Sequence, residues 1–546
     1  MIGANIVINR LRIHKLKFYN NKNSIQRHNI SGHKVFIIGN IFEDKFKLKN
    51  KLKEIIIKNK YKELLNINGE YFIFIQKKNK EIIIGNSKNS YIPIFYSYKN
   101  SILNIRSNII DFEKKFFKKI NFNKIYSWLL LNGRSFDNKT FLKEVKVLSS
   151  GDLCIIKSKK FLSYRSDIFN YVNKNLSLNK NISQVSNALK ISINKRIESV
   201  KGNISFGLSG GLDSRILLSL IDKKYKKRIF THTYGDKNNF ESIIAKKVAH
   251  NLGFKHRFYE IKKKDYYDQA NNSVKYGSFQ TVFKNGVKTK YTKKIVKNDN
   301  SKFLIIGNAL DVLISSSFSS EGLKKIKKIE SYISWYKKNF QLFNSYEIKS
   351  LFKNFSMNTK KLIDGPIKFF YKKIKHKKNY INFNDALTFE SRIKKWHNPS
   401  LAQQSRITNF LIPTYDLNFL VACSHISSKY RYNDYFRKKL IHKINSRISK
   451  IPTTDEMIKK FKSLKFKNKY YDTNLGLDMK NNKEFFTFYN NIKVKFKLTI
   501  FKKKFNLKYL NFLIEQHRAG VKDNTRKIFM CITLLIILIN ISKKSV

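Results

Sequence analysis

One stretch of the sequence constrains the fold more than any other: ISFGLSGGLDSRILLSLI, at residues 204–221. Its apolar start predicts a β-strand over 204–208, and its apolar second half predicts a helix from about Leu212. Between them lies the turn Ser209-Gly210-Gly211. Glycines let a backbone approach an anion closely, and the first turn of a helix offers N–H groups and a positive dipole end. The stretch therefore predicts a phosphate-binding turn, with Asp213 placed to ligate a Mg2+ that accompanies the phosphates.

Three motifs compete for this turn. A Walker A loop is excluded, because Leu212 stands where its second glycine belongs and Asp213 where its lysine belongs. The pattern GxSxG fits residues 207–211 and would make Ser209 a hydrolase nucleophile. The third motif, the SGGLDS loop of ATP pyrophosphatases, matches all of residues 209–214 in the same strand-turn-helix context. This longer match favours the third interpretation.

Further blocks follow the loop in order along the chain, and together they resemble the asparagine synthetase family. Residues 240–253 are similar to the family's DExxxA helix that ends in LG. Residues 303–311 are similar to its strand followed by GEGADE, with Gly307 and Asp311 at matching positions. Weaker similarity extends over most of the chain, at residues 39–43, 68–72, 93–96, 147–151, 412–416, 437–440 and 451–452.

The resemblance implies a fold in two parts. Residues 1 to about 165 are rich in short apolar strands, whereas strands alternate with helical patterns from about 180 and helices dominate beyond about 320. The family has an α+β N-terminal-nucleophile-like αββα sandwich, followed by an α/β ATP-pyrophosphatase domain with a helical C-terminal part. We therefore expect a degenerate glutamine amidotransferase-like domain over 1–170 and an asparagine synthetase-like domain over 180–546.

The resemblance also implies an ATP-dependent amide ligase that forms AMP and pyrophosphate. A small-molecule carboxylate attacks the α-phosphate of ATP, and an amine or ammonia then attacks the acyl-adenylate, giving asparagine or an asparagine-like amide. ATP and Mg2+ are the expected cofactors, with Asp213 and Asp311 as metal ligands. Arg437, Lys438 and Lys439 are the candidates for the cation that stabilises the leaving pyrophosphate. The residues expected to bind the nucleotide are Leu208, Ser209, Gly210, Gly211, Leu212, Asp213, Ser214, Tyr234, Ile306 and Gly307.

The sequence departs from the family pattern at positions that carry chemistry. Asn308 stands where the family has a Glu that is a candidate for proton transfer, which an amide cannot perform. Glu390 or a His is expected to take that role. Ile2 stands where glutamine-dependent members have a nucleophilic Cys, and no Cys precedes Cys154. We therefore expect no glutaminase activity of its own, and a separate source of ammonia.

Other functions remain open. Family members without the nucleophilic Cys, such as β-lactam synthetase and lasso-peptide cyclase relatives, join the adenylate to a different amine. With Asn308 and Val312 at two Glu positions, the chain can also be a degenerate, inactive homologue. Outside the family, a serine hydrolase with Ser209 as nucleophile would need a downstream acid and base. The candidates for these are Asp311, Asp416, His425 and His442.

The charge of the chain bears on its partners. It has 111 Lys and Arg against 37 Asp and Glu, a net charge of +74. Such a charge can indicate a nucleic acid or an anionic membrane as partner. The lysines are spread over the whole length, however, which is typical of biased composition and argues against a dedicated nucleic-acid surface. The nucleic-acid hypothesis depends on residues 492–508, where alternating Lys and apolar residues predict a strand with one basic face.

The remaining features concern membranes and compartment. The apolar run 528–541 is about 14 residues long, shorter than the roughly 20 that span a bilayer, and therefore favours a buried core helix. The alternative is a C-terminal membrane anchor flanked by Lys527 and Lys543. The N-terminus lacks the apolar segment of a secretory signal. The three Cys have no CxxC spacing, so they form neither a disulfide framework nor a cysteine zinc site. They indicate a reduced, cytoplasmic compartment.

Overall fold

The computed structural model describes most of the chain: residues 3–9, 12–19, 25–157, 160–166, 169–172, 174, 176–237, 239–315, 321–353, 358–374, 379–462, 479–480 and 482–545. Ile2 lies outside the described residues. In the described part, two antiparallel sheets occupy the first half, and a parallel sheet with many helices occupies the second.

The described residues of the first half form eleven strands in two sheets. They are β1 (Gly3–Asn9), β2 (Arg12–Tyr19), β3 (Ile25–Ile30), β4 (His33–Ile41), β5 (Gly69–Gln76), β6 (Ile82–Asn86), β7 (Phe95–Lys99), β8 (Ile102–Arg106), β9 (Lys146–Val147), β10 (Asp152–Lys157) and β11 (Lys160–Arg165). One sheet has the order β2-β1-β8-β7-β9, and the other has the order β11-β10-β6-β5-β4-β3. Neighbouring strands in both sheets are antiparallel.

The two sheets pack face to face because successive side chains of a strand point to opposite faces. Ile6 of β1 and Phe72 of β5 belong to one buried cluster between the sheets. The alternate residue Ile73 faces outward and packs with the helix Lys45–Ile57. On the other side of the sandwich, Phe95 of β7 belongs to a cluster with the helix Phe122–Leu130. The layers are therefore helix, sheet, sheet and helix, as the resemblance implies.

The apolar spacing of the sequence predicts two amphipathic helices in this half, over 48–65 and 124–131, and the structure gives both of them different bounds. The helix predicted over 48–65 spans Lys45–Ile57 and is followed by a separate 3-10 helix, Tyr61–Asn66. Asn59 interrupts it with a φ of 53°, a left-handed conformation that ends a helix. The helix predicted over 124–131 spans Phe122–Leu130, and Asn121 caps its first turn by accepting the N–H of Lys124.

The second half is built on a parallel sheet. Its strands are β12 (Asn203–Gly207), β13 (Ile229–Gly235), β14 (Lys255–Glu260), β15 (Ser301–Ile305) and β16 (Asn409–Leu411). Their order is β14-β13-β12-β15-β16. From β12 the chain adds β13 and β14 on one side of the sheet, and it then adds β15 and β16 on the other side. In such sheets, ligands bind at the carboxyl ends of the strands where the direction reverses. The turns after β12 and β15 meet at that point.

Helices cover both faces of this sheet and form the C-terminal part. The α-helices that accompany the strands are Leu178–Glu198, Leu212–Ser219, Phe240–Leu252, Lys264–Asp268, Ala270–Tyr276, Gly286–Asn298 and Leu310–Ile314. Those that follow are Glu321–Lys324, Ile329–Phe340, Ser345–Leu351, Thr359–Lys373, Tyr380–Thr388, Asn398–Gln404, Leu417–Ser424, Ser428–Arg431, Tyr435–Ile444, Ser446–Ser449, Thr454–Lys462, Lys483–Lys497, Leu507–Arg518 and Thr525–Ser545. A π-helix, Phe389–His397, joins two of them. The boundaries 1–170 and 180–546 stay predictions.

The predicted basic strand over 492–508 is wrong. The helix Lys483–Lys497 covers its first part, and the helix Leu507–Arg518 begins at its end. Phe485, Tyr489, Ile492 and Phe496 recur at helical spacing and are all buried. This apolar face packs into the core, so the helical period prevails over the local alternation of Lys and apolar residues. The observation on which the nucleic-acid hypothesis depended is therefore absent.

The apolar run near the C-terminus lies in the helix Thr525–Ser545. This helix has 21 residues, which is longer than the apolar run alone, and by length and composition it could cross a membrane. However, 78% of its most apolar window is buried inside the structure. Ile532 and Leu535, for example, are fully buried in the same cluster as the helix Lys483–Lys497. The helix therefore occupies the position expected of a core helix.

Candidate active site

The turn after β12 is held by its own side chains. The N–H of Ser209 donates to Oγ of Ser214 at 3.0 Å, and the N–H of Gly211 donates to Oγ of Ser209 at 3.2 Å. A Cβ on Gly210 would lie 2.0 Å from Oγ1 of Thr454, so only glycine fits there. The helix Leu212–Ser219 starts immediately after Gly211. Its first N–H groups have no partner within the helix and point back over the turn.

Arg215 joins this turn to a segment more than 230 residues away. Its fully buried guanidinium donates to the carbonyls of Gly210 and Gly211, each at 3.0 Å. It also donates to the carbonyls of Ile451 at 2.6 Å and Pro452 at 3.2 Å. Arg215 therefore links the weakly similar block 451–452 to the SGGLDS loop. Because Arg215 satisfies four carbonyls at once, it fixes the shape of the turn.

Asp213 and Arg437 meet beside the turn. Nη1 of Arg437 donates to Oδ1 of Asp213 at 2.8 Å, and Nη2 of Arg437 lies 2.7 Å from Oδ1 of Asp434. Burial raises the pKa of Asp213 to about 6, with the negative charge of Asp311 adding to the effect and Arg437 opposing it. Burial works against the cation, but the two carboxylates still raise the pKa of Arg437 above its ordinary value. The predicted anion-stabilising cation is thus held next to a predicted metal ligand.

The turn opens into a cleft of about 880 Å3. Eight of the predicted site residues line it: Leu208, Ser209, Gly211, Leu212, Asp213, Tyr234, Arg437 and Lys438. Gly307 lies directly behind Asp213, since a Cβ on Gly307 would be 3.7 Å from that of Asp213. Ile306 packs beside Gly207 at the end of β12. The structure therefore brings the nucleotide-binding candidates to one edge of the sheet.

The cleft concentrates charge of both signs. The chain has 37 acidic residues, and six of them line this one cleft. They are Asp213, Asp236, Glu241, Asp434, Asp455 and Glu456, and they face Lys284, Lys288, Arg437, Lys438 and Lys459. Such a mixture suits a ligand that brings phosphates together with a divalent cation.

Asn308 lies in the turn after β15, near Asp311. Its Nδ2 donates to the hydroxyl of Tyr415 at 2.8 Å, and its Oδ1 lies 3.4 Å from Nδ1 of His397. Ala309 adopts a left-handed φ of 69° and precedes the helix Leu310–Ile314, which carries Asp311 in its first turn. Burial lowers the pKa of His397 to about 3, with Arg392 and other cations adding to the effect. The imidazole next to Asn308 is therefore neutral.

Glu390 is not brought into the cleft. It lies in the π-helix Phe389–His397, where its carboxylate pairs with Nζ of Lys394 at 2.6 Å and with Arg165 at 3.5 Å. Although burial opposes ionisation, these cations lower the pKa of Glu390. Lys438 lies at the exposed rim and pairs with Glu456 at 3.0 Å. Neither residue contacts Asp213 as Arg437 does.

His232 is a residue of the cleft that the sequence analysis missed. It is 3% exposed, and its Nδ1 has no hydrogen-bond partner among the described residues. Burial lowers the pKa of His232 to about 3, with His256 adding to the effect, so the ring is neutral. It stacks against Tyr234, with ring centroids 6.5 Å apart. No motif marks this residue, because its importance comes from its position at the end of β13.

The residues of the hypothetical serine hydrolase are not assembled. Oγ of Ser209 bonds to the N–H of Gly211 and to Ser214, and no histidine of the described chain contacts it. His442 bonds instead to Oγ of Ser449. Asp416 binds Arg196 at 3.2 Å, as part of a buried network away from the turn. Without a base beside Ser209, the hydroxyl is not activated as a nucleophile.

Comparisons with known proteins give a family for one part of the chain. Residues 184–404 match the family described as asparagine synthase, which confirms the predicted resemblance for this part. Among solved structures, the chain is similar to the allosteric regulatory enzyme of purine biosynthesis, with 12% identity and a TM-score of 0.19. That similarity covers 47% of this chain and 59% of the other.

A second similar structure is the glutamine phosphoribosylpyrophosphate amidotransferase from B. subtilis complexed with ADP and GMP. It has 13% identity and a TM-score of 0.19, and the similarity covers 56% of this chain and 75% of that one. No curated protein matches the chain. The family match includes the turn after β12 and Asp311, and it ends before Arg437.

Proposed function

Residues 184–404 carry an asparagine synthase domain, and on this basis we propose that the protein is an ATP-dependent amide ligase that releases AMP and pyrophosphate. The observation that carries the proposal is the joining of three separate segments at the carboxyl ends of β12 and β15. There the SGGLDS turn and Arg437 border one cleft and are joined by the Asp213–Arg437 ion pair, while Asp311 lies close enough to raise the pKa of Asp213.

The chain's own residues account for binding and activation of the nucleotide. The N–H groups at the start of the helix Leu212–Ser219 bind phosphate, and the glycines of the turn allow its close approach. Leu208 and Tyr234 border the space for the base. Arg437 stabilises the negative charge that develops on the leaving pyrophosphate, and this charge draws it away from Asp213. The acceptor carboxylate then forms an acyl-adenylate, which an amine attacks.

Asp213 and Asp311 are the residues that would hold Mg2+. The charge of Asp311 raises the cost of ionising Asp213, and a bound divalent cation would relieve that repulsion. Mg2+ in nucleotide enzymes is commonly bound by one or two carboxylates together with substrate phosphates. The donor set therefore fits, and the metal would supply charge neutralisation for the pyrophosphate.

The reaction needs an acceptor carboxylate and an amine. We propose a small-molecule carboxylate as acceptor, giving asparagine or an asparagine-like amide, and ammonia or another amine from a separate source. Asn308 holds Tyr415 and His397 in place and cannot move a proton itself. The first half, an N-terminal-nucleophile-like sandwich, acts as a scaffold without glutaminase activity. The three buried, free cysteines suit a cytoplasmic enzyme.

A single assay tests the reaction. The purified full-length chain is incubated with ATP, Mg2+, aspartate or another candidate acid, and ammonium or glutamine, while AMP and pyrophosphate are measured. We expect pyrophosphate release that depends on both acid and Mg2+, and no glutamate formed from glutamine. Asp213→Asn should lower the release at least about 100-fold, as should Arg437→Met, because each removes a group that acts on the developing charge.

Asp268→Asn is the matched control, since Asp268 is exposed and does not line the cleft. It should leave pyrophosphate release unchanged. Unchanged release in Asp213→Asn would refute the assignment of the site. Tight binding of ATP without pyrophosphate release, under every combination of acid and amine, would instead identify a degenerate homologue that has lost catalysis.

A further inference from the structure

A second cavity lies between the two halves of the chain, and it shares no lining residue with the cleft. We call it the central cavity. Its walls come from residues 86–93 and 124–150 of the first half and from residues 278–280 and 394–399 of the second. Its volume is about 60 Å3. One bound water needs about 10–15 Å3, so the cavity has room for roughly four to six water-sized groups.

Three buried polar atoms of the cavity wall have no hydrogen-bond partner in the described part of the chain. They are Oδ1 of Asn86, Nε1 of Trp128 and Oγ of Ser150. The three residues are only 1%, 3% and 6% exposed, respectively. Buried polar atoms in folded proteins almost always have a hydrogen-bond partner. Three unpaired atoms around one cavity therefore indicate that a bound group pairs with them. The set contains an acceptor, a donor and a hydroxyl that can serve as either.

The charged side chains around the central cavity do not balance. Nζ of Lys124 pairs with Asp137 at 2.8 Å, and Nζ of Lys394 pairs with Glu390 at 2.6 Å. Behind them, Arg165 lies 3.5 Å from Glu390 and 3.8 Å from a carboxylate oxygen of Asp152. Apart from the solvent-exposed Lys139, which also lines the cavity, four cations including Lys395 therefore face three carboxylates.

Lys395 is the cation left over. Its Nζ donates to the carbonyl of Asp137 at 2.6 Å and to Oδ1 of Asn138 at 3.0 Å. None of the carboxylates that the structure describes lies within ion-pair distance of it. Burial lowers the pKa of Lys395 to about 7, with Arg165 and Lys124 adding to the effect against the opposing carboxylates of Asp137 and Asp152. One negative charge inside the cavity would balance the cluster.

We propose that the central cavity is a binding site for a small carboxylic acid that also carries a hydroxyl group. The carboxylate supplies the missing negative charge near Lys395 and an acceptor for the N–H of Trp128. The hydroxyl group supplies a donor for Oδ1 of Asn86. The volume limits the ligand to a short molecule such as glycolate. The site is independent of the ligase reaction, because its walls and its charges lie outside the cleft.

Calorimetric titration of the full-length protein tests the proposal with three small probes of related structure. At pH 6 and constant ionic strength, glycolate should bind saturably. Glycolamide, which has the same shape without the charge, should bind at least tenfold more weakly, and acetate, which lacks the donor, should bind several-fold more weakly. Between pH 6 and pH 8 the affinity for glycolate should fall about tenfold, since Lys395 loses its proton with a pKa near 7.

Variants locate the binding site. Lys395→Met should lower the affinity for glycolate at least tenfold. Lys143→Met should not, because Lys143 is exposed and does not line the cavity, although it lies in the segment 124–150. Because a change at Lys395 can disturb the fold, Trp128→Phe provides a second test that keeps an aromatic ring but removes the N–H donor. Its affinity should also fall, with an unchanged circular dichroism spectrum. Equal binding of glycolate and glycolamide, no saturable binding at pH 6, or full binding by both cavity variants would overturn the proposal.

Discussion

A buried network that joins the two halves makes the stability of the protein depend on pH. Arg196 is fully buried and lies between two carboxylates, with Glu70 of β5 at 3.0 Å and Asp416 at 3.2 Å. Asn68 also donates to Asp416, at 2.6 Å. One guanidinium cannot neutralise two buried carboxylates, and Oε2 of Glu70 has no partner among the described residues. Burial therefore raises the pKa of Glu70 to about 7, despite Arg196.

The magnitude follows from this pKa. A rise from the ordinary 4.5 to about 7 makes ionisation of Glu70 about 3 kcal/mol more costly in the folded protein than in the unfolded chain. Because the folded pKa is the higher one, the stabilisation is complete below pH 4.5 and is lost as the pH rises through 7. Between pH 5 and pH 8 the wild type should lose about 2.5 kcal/mol from this group alone.

Urea unfolding at pH 5 and pH 8 measures the effect. Glu70→Gln keeps the shape and an oxygen for Arg196 but cannot ionise, so its free energy of unfolding should fall by about 2.5 kcal/mol less than that of the wild type over this range. Glu63→Gln serves as control, because Glu63 is exposed in the same half and should follow the wild type. Equal losses in the wild type and in Glu70→Gln would refute the assignment of the titration to Glu70.

Three further substitutions test the local geometry. Gly210→Ala should reduce ATP binding at least about tenfold in a nucleotide titration, because its methyl group would lie 2.0 Å from a threonine hydroxyl and deform the turn. Gly133→Ala should lower the free energy of unfolding by about 1–3 kcal/mol, since the added carbon would lie 1.5 Å from the ring of Trp396 and the backbone φ is 82°; an unchanged midpoint would contradict the packing. Phe496→Ala should cost about 3–5 kcal/mol, whereas Val494→Ala, at a side chain 59% exposed, should cost less than about 0.5 kcal/mol. Equal costs at the last two positions would favour the alternating strand over the helix.

The charge of +74 has a different meaning once the structure is known. Most of it lies on solvent-exposed lysines spread over the chain, as the composition suggested. The acidic residues are more informative about the sites of the protein, because they are few and several of them form specific ion pairs. Asp213 binds Arg437, Glu70 and Asp416 share Arg196, and others hold the lysines around the central cavity. In a chain this basic, a buried carboxylate marks a place where a cation is positioned.

Local sequence was sufficient for the features that neighbouring residues determine. The strand, turn and helix at 203–219 follow from an apolar run, two glycines and a second apolar run, and the turn closes through bonds between Ser209 and Ser214, five residues apart. The separation of a strand-rich first half from a half in which strands alternate with helices followed from the spacing of the apolar segments. Sequence failed at 492–508, because two local periods competed there and only packing in the core could decide between them.

What the sequence determined by itself is the phosphate-binding turn and the class of fold around it, since both depend on contacts between near neighbours. The tertiary structure decided which distant side chains complete that turn. Arg437 reaches Asp213 across 224 positions, and Arg215 reaches Ile451 across 236. The tertiary structure also places Glu390 outside the cleft, where it pairs with Lys394 and Arg165. Such pairings depend on how helices and strands pack in three dimensions, and no spacing along the chain encodes them.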